Sequence, residues 1–191
     1  MTARSETQER RIILDLCGGT GAWSRPYVEA GYDVQIVTHP QQDVRTYHPP
    51  PKVHGVLAAP PCTEFAVSGA RWWATKPAYL LDNAVAIVNA VLRIIRDTSP
   101  DWWAMENPVG RLRLWAGPPV YTFQPWEYGD EQFKRTCIWG KHVRPIPTVT
   151  KAPPRTNANQ RVWRAAPSPE RAALRSITPP GFAKAFFEAN P

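Results

Sequence analysis

Long apolar runs, paired cysteines and acidic residues are all scarce in this chain, and each shortage removes a class of protein. No apolar run is expected to reach the roughly 20 residues of a membrane-spanning helix, and the charged start MTARSETQERR holds no stretch of signal-peptide length. A cytoplasmic protein without a membrane partner is therefore expected. Only three cysteines occur, Cys17, Cys62 and Cys137, far apart and with no C-x-x-C pair. Neither a disulfide framework nor a zinc knuckle is supported, so the expectation is free thiols and no metal. Sixteen acidic residues against 23 Lys and Arg leave a formal charge of +7, which points to a polyanionic partner, with nucleic acid first.

What remains is an ordinary globular balance, 43% hydrophobic and 20% charged over 191 residues, enough for one domain with a real core. Strand and helix patterns alternate along the first two thirds. RIILDL (11–16), DVQIV (33–37), KVHGVLAA (52–59), DWWAME (101–106) and KRTCIWG (134–140) read as strands. SRPYVEAG (24–31) reads as a helix stopped at Gly31, and 76–97 as the clearest helix, with Leu80, Ala84, Ile87, Val88, Val91, Leu92 and Ile95 at helical spacing. This alternation predicts an α/β fold with a mostly parallel sheet covered by helices on both faces. Residues 1–140 would form the main domain. Residues 141–174, rich in Pro, Arg, Lys and Asn, form a basic segment packed on the domain or projecting from it, and 175–191 close with a helix at PPGFAKAFFEAN (179–190).

Three stretches carry chemistry. In LDLCGGTGAWS a strand runs into Gly18, Gly19 and Gly21, which lets backbone pass close to a ligand at the carboxyl edge of a sheet. The turn is not G-x-G-x-x-G and lacks the lysine of a phosphate loop, so neither dinucleotide nor triphosphate binding is favoured, and Asp15 could accept from an ammonium group. In APPCTEFAVSG two prolines stiffen the turn before Cys62 and present its thiol at the same edge. In WAMENPVGRL a further strand ends on Glu106, whose carboxylate among Trp102, Trp103 and Met105 suits it to hold or donate a proton. Taken singly, each has an ordinary alternative: a tight strand-to-helix turn, a buried structural thiol, a capping glutamate.

The order of a glycine turn, then PPC, then EN resembles the DNA cytosine-5 methyltransferase family, and CTEFAVSG resembles that family's catalytic loop, with Ala66 where a serine is usual and Ser68 and Gly69 retained. EQFKRTCIWG is similar to the family's Q-x-R-x-R segment, with Lys134 and Thr136 in place of two arginines. RSITPPGFAKAF is similar to its closing segment, with Arg175 and Ser176 replacing Gly and Asn. The likeness covers most of 11–140 and resumes near 175–187. With no long recognition domain it is most similar to compact bacteriophage-encoded members, whose setting would be the host cytoplasm and, for some, restriction-modification. PPC is the DNA-type rather than the RNA-type arrangement.

The resemblance implies a Rossmann-like class I fold, S-adenosylmethionine as cofactor and DNA as partner, with a monomer expected. Cys62 would attack C6 of a flipped cytosine and Glu106 would contact N3, with Pro61, Asn107 and Lys134 beside them. The cofactor would lie against Asp15, Leu16, Cys17, Gly18, Gly19, Thr20, Gly21 and Trp23, with Pro60, Ser176 and Thr178 closing the pocket. After the second strand the family's ribose-binding acid is missing and Thr38 and His39 stand there, while Asp43 and Val44 resemble the pair that reads the adenine amine. DNA contacts would come from Ser68, Arg71, Thr136, Arg155, Arg161 and Arg164. The loop after Cys62 is expected to be mobile and to close over a flipped base. Two alternatives stay open: transfer of a group other than methyl from a modified sulfonium donor, and a non-catalytic nucleic-acid-binding protein on the same fold.

Overall fold

The computed structural model describes residues 10–157, 159 and 176–191. One sheet organises it. Strands β1 (Ile12–Leu16), β2 (Asp33–Val37), β3 (Val53–Ala58), β4 (Trp102–Pro108), β5 (Tyr121–Phe123) and β6 (Thr136–Lys141) lie in the order β2-β1-β3-β4-β6-β5. The three pairings among β1 to β4 are parallel. β6 runs antiparallel to both β4 and β5, so five strands share a direction and β6 alone opposes them. The sheet is therefore mixed, which corrects the expectation only at this edge. The order turns outward on both sides from the boundary between β1 and β3, the kind of switch point beside which open α/β sheets bind ligands.

Alternating side chains of the same strands feed two separate cores, as a pleated sheet requires when both faces are covered. Leu14, Leu16, Val56, Ala58, Met105 and Trp139 pack under helix α2 (Ala78–Thr98) through Ala84, Val88, Val91 and Ile94. On the other face, Ile13, Leu57, Trp102, Ala104 and Ile138 pack with helix α1 (Arg25–Glu29), through Tyr27, and the final helix, through Phe182 and Phe186. α2 is long and apolar enough by length and composition alone to cross a membrane, which the sequence reading did not anticipate. Here its apolar stripe is the lid of the first core. It ends where Ser99 takes a left-handed conformation and Pro100 follows.

Four elements escape the sequence pattern: β5, a short helix α3 (Arg113–Ala116), and 3₁₀ turns at Val67–Trp72 and Pro125–Tyr128. The last helix, α4 (Pro180–Ala189), matches expectation. It is docked by tertiary contacts at both ends. Asp130 accepts from the Gly181 N–H at 3.0 Å, and Asn190 bonds Val143 through both its amide atoms. The start of the basic segment is thereby packed on the domain, with Pro145 accepting from Tyr128 and the Thr148 and Val149 N–H groups both donating to the Glu127 carbonyl.

Gly55 shows how closely the second core is fitted. A Cβ built there meets the Trp102 ring, its cross-strand partner, at 2.2 Å. Gly55→Ala is expected to lower stability by about 1–3 kcal/mol, the usual cost of overpacking, read as an earlier midpoint in urea unfolding. An unchanged midpoint would mean that Trp102 swings aside without loss.

Candidate active site

β1 ends in the glycine turn. Cys17, Gly19 and Gly21 all have positive φ, so the chain reverses tightly enough for Ser24 to begin α1. Three hydrogen bonds place this turn at the carboxyl edge of the sheet: Cys17 N–H to Val37 O at 2.7 Å, Gly21 N–H to Gly18 O at 2.9 Å, and Ala59 N–H to Leu16 O at 2.9 Å. Gly19 and Thr20 are exposed, and a Cβ at Gly19 meets nothing within 4 Å, so the turn is open on its outer side. Its inner side is closed by Asp15. A Cβ at Gly18 would strike the Asp15 carboxyl at 2.3 Å.

Asp15 is fully buried and accepts from the Ser24 hydroxyl at 2.5 Å, while its Oδ1 has no partner. Burial pushes its carboxyl up to about 6, against the opposing pull of the Ser24 hydroxyl and N–H. An acid carried at such a cost with a bare oxygen is a mark of a functional site. Trp23, expected beside the cofactor, is instead sealed in the second core against Phe182 and Phe186, at 2% exposure. At the end of β2, Thr38 is half-buried, His39 is exposed and Val44 is buried. The Arg45 guanidinium grips both oxygens of Asp43 and holds its carboxyl down at about 2, with His39 adding to the effect. The Asp43 charge reaches Cys17, so the β2 end and the glycine turn border one region.

Just past the end of β3 come Pro60, buried, and Pro61, exposed, followed by a half-buried Cys62. The Asn107 side-chain amide donates to the Pro60 carbonyl at 2.9 Å and pins this turn against the end of β4. The neighbouring Glu106 is 8% exposed, and its Oε2 is buried without a partner. The three motifs, distant in sequence, therefore meet at one edge. Burial, with Asp15 and Asp43 nearby, pushes Cys17 up to about 12, and burial also raises Cys137, which makes both poor nucleophiles.

The loop after Cys62 is docked rather than loose. The Phe65 and Ala66 N–H groups donate to the Cys62 carbonyl, Val67 N–H to Val109 O, and Arg111 N–H to Phe65 O. Arg111 Nε reaches Glu64 O at 2.8 Å, and Lys76 binds both carboxylate oxygens of Glu64 at 2.7 and 2.8 Å. Backbone passes so close to Gly110 that a Cβ there would lie 1.9 Å from the Phe65 carbonyl. Sequence reading missed Glu64, Lys76, Gly110 and Arg111, and the only signal was the glycine two residues after Pro108.

The remaining expected contacts divide. Ser68 and Arg71 are exposed on the loop, and Arg155 is exposed over the Phe133 ring at 4.5 Å. Thr136 is 3% exposed and its hydroxyl bonds the Lys134 carbonyl, so it offers DNA no surface. Lys134 is half-buried, Thr178 buried and Ser176 exposed. Arg161 and Arg164 lie outside the described residues. No cluster of three or more metal-ligating side chains occurs among the described residues.

Switch point and glycine turn define a doubly wound α/β protein, a class that binds its ligands outside the carboxyl ends of the strands. No protein-family model matches the chain and no curated protein matches it. Among solved structures it is similar to a putative DNA modification methyltransferase encoded within an E. coli prophage, at 16% identity over 68% of this chain and 46% of that one, with a TM-score of 0.49. It is also similar to DhpI in complex with SAM and HEP, at 15% identity over 70% of this chain and 64% of that one, with a TM-score of 0.30. The chain thus spans under two thirds of both, and neither likeness is close enough to assign a family.

Proposed function

We propose that this chain is a DNA cytosine-5 methyltransferase that takes its methyl group from S-adenosylmethionine and acts on DNA as a monomer in the cytoplasm. The observation that carries the reading is the Asn107–Pro60 bond, which holds the Pro-Pro-Cys turn against the strand end bearing Glu106. The residues at the glycine turn fit the cofactor. Gly19 leaves open space for a ligand beside the backbone, and the buried Asp15 carboxyl lies directly beneath the turn, where its charge would favour a cationic donor. Thr38, His39, Asp43 and Val44 would border its nucleoside end. When bound, S-adenosylmethionine supplies an electrophilic methyl group on a sulfonium.

Cytosine C5 is a poor nucleophile until something adds at C6. In this reading the Cys62 sulfur forms that bond, and Glu106 donates to N3 and stabilises the charge the addition places on the ring. C5 would then be electron-rich enough to take the methyl group, the donor leaving as a neutral thioether, after which the C5 proton would pass to water, N3 would return its proton to Glu106, and Cys62 would depart as thiolate to restore the ring. Asn107 and Pro61 act as positioning residues, because they set where the sulfur sits. A base inside a duplex is out of reach, so the target must be extruded or already unpaired.

Incubating the protein with S-adenosylmethionine and DNA containing 5-fluorocytosine, which blocks the last step, is expected to give a denaturation-resistant protein–DNA adduct. Mass spectrometry of nucleosides from ordinary DNA is expected to show 5-methylcytosine. A heavier C5 substituent on DNA from cells expressing the protein, with no 5-methylcytosine formed from S-adenosylmethionine, would move the reading to a modified sulfonium donor, and neither adduct nor modified base would overturn it.

A further inference from the structure

The surface that flanks Cys62 is built of arginines and exposed rings rather than the ordinary mix of charges. The segments that lead into the turn Val67–Trp72 and into helix α3 are joined by the bridge between Ala66 and Gly110. On this ledge the Arg71 guanidinium lies over the Trp72 ring at 5.1 Å, Arg111 lies over Trp73 at 4.4 Å, and Trp115 packs on Phe65 at 5.6 Å. Trp72 remains 54% exposed and Trp115 37%. Large rings left in water on the segments that follow Cys62 and β4 mark a surface suited to a partner.

Charge narrows the partner. Between residues 62 and 76 and between 109 and 116, the sequence holds Arg71, Lys76, Arg111 and Arg113 but one acid, Glu64. Glu64 is buried and neutralised by Lys76 at 2.7 Å. The ledge therefore presents positive charge and aromatic faces with no exposed negative charge of its own. A duplex offers phosphates but keeps its bases stacked away from such rings. A single strand offers both, because phosphates meet arginines and every unpaired base has a face to stack.

We propose that the ledge formed by Val67–Trp72 and α3 docks an unpaired DNA strand, with Trp72 stacking on a base next to the target cytosine and Arg71 and Arg113 meeting its phosphates. The reacting cytosine is then delivered to Cys62 from single-stranded or locally melted DNA. The identity of the reacting base rests on the proposed methyltransferase activity, but docking does not, because it is measured without cofactor.

The test is binding of a fluorescein-labelled 20-nucleotide single strand, and of the same sequence as duplex, to wild type, Trp72→Ala and Trp72→Tyr, at fixed salt. Trp72→Ala is expected to weaken single-strand binding about tenfold while changing duplex binding little, since one base–ring stack is lost. Trp72→Tyr is expected to recover most of that affinity, which a misfolded loop would not. Wild type that binds duplex more tightly than single strand, or a Trp72→Ala loss that is absent or equal for both, would overturn the proposal. If strand docking behaves as expected but no modified base forms, the methyltransferase reading fails and the docking surface stands.

Discussion

Cys62→Ala is expected to eliminate base modification and adduct formation, a loss on the order of 10⁴-fold or more in kcat, as for removal of other enzyme nucleophiles. The fold should survive. Cys62 is half-buried at the end of a turn, and the bonds it makes to the Phe65 and Ala66 N–H groups come from its carbonyl, which any residue supplies. Stability is therefore expected to move by about 1 kcal/mol, well short of unfolding the domain. Cys62→Ser should be as dead, because a serine hydroxyl at neutral pH is a far weaker nucleophile than a thiolate. Neither remaining thiol can substitute, since burial suppresses ionisation of Cys17 and Cys137. Single-turnover methyl incorporation, with circular dichroism on the same samples, checks both halves. Retained transfer by Cys62→Ala would show that the sulfur is not the attacking atom.

Asp15→Asn is expected to stabilise the ligand-free protein above pH 6, an unusual outcome for a buried polar position. The folded-state carboxyl sits at about 6, above its ordinary value of 3.8, because burial penalises the charged form. A raised acid of this kind contributes stability that is complete below about pH 4 and is lost as pH rises through about 6. By pH 7 the loss amounts to about 3 kcal/mol, from a shift of roughly two pK units. Asparagine keeps an acceptor for the Ser24 hydroxyl and carries no charge. The stability difference between variant and wild type should thus grow from pH 4 to pH 6 and level off, measured by urea unfolding across that range. A flat difference would mean that the carboxylate is compensated in the fold. The same substitution should weaken S-adenosylmethionine binding at pH 7.5 by about tenfold if the buried carboxylate beneath the turn stabilises the positive charge of the ligand. Calorimetric titration reads that separately.

Of the strands, β2 falls where the sequence puts it, at Asp33–Val37, and β1, β3, β4 and β6 shift by only one or two residues at either end. These are compact apolar runs bounded by glycine or proline, and the boundary signals are local. β5 left no such signal. Its three residues form a strand only because Tyr121, Thr122 and Phe123 pair with Ile138, Cys137 and Thr136 of β6. Trp23 illustrates the opposite error. Its place beside the glycine turn suggests a ligand contact, yet the side chain turns into the core because α4, more than 150 residues later, brings Phe182 and Phe186 against it. Thr136 fails as a DNA contact for a similar reason, since β4 and β5 cover its strand on both sides.

The sequence by itself determined the alternation of strands and helices, the positive charge, the glycine turn and the two strand-end motifs, because each is written in consecutive residues whose conformational preferences are local. Tertiary structure decided which of these face one another. It placed β3 beside β4, so that Asn107 could hold the Pro60 carbonyl and fix the Pro-Pro-Cys turn against the end of β4, and it sealed Asp15 beneath Gly18. It also laid the loop after Cys62 against residues 109–111, turning an apparent hinge into a docked ledge of rings and arginines. Those contacts depend on the packing of segments far apart in the chain, and packing is a property of the whole sheet that no single stretch encodes.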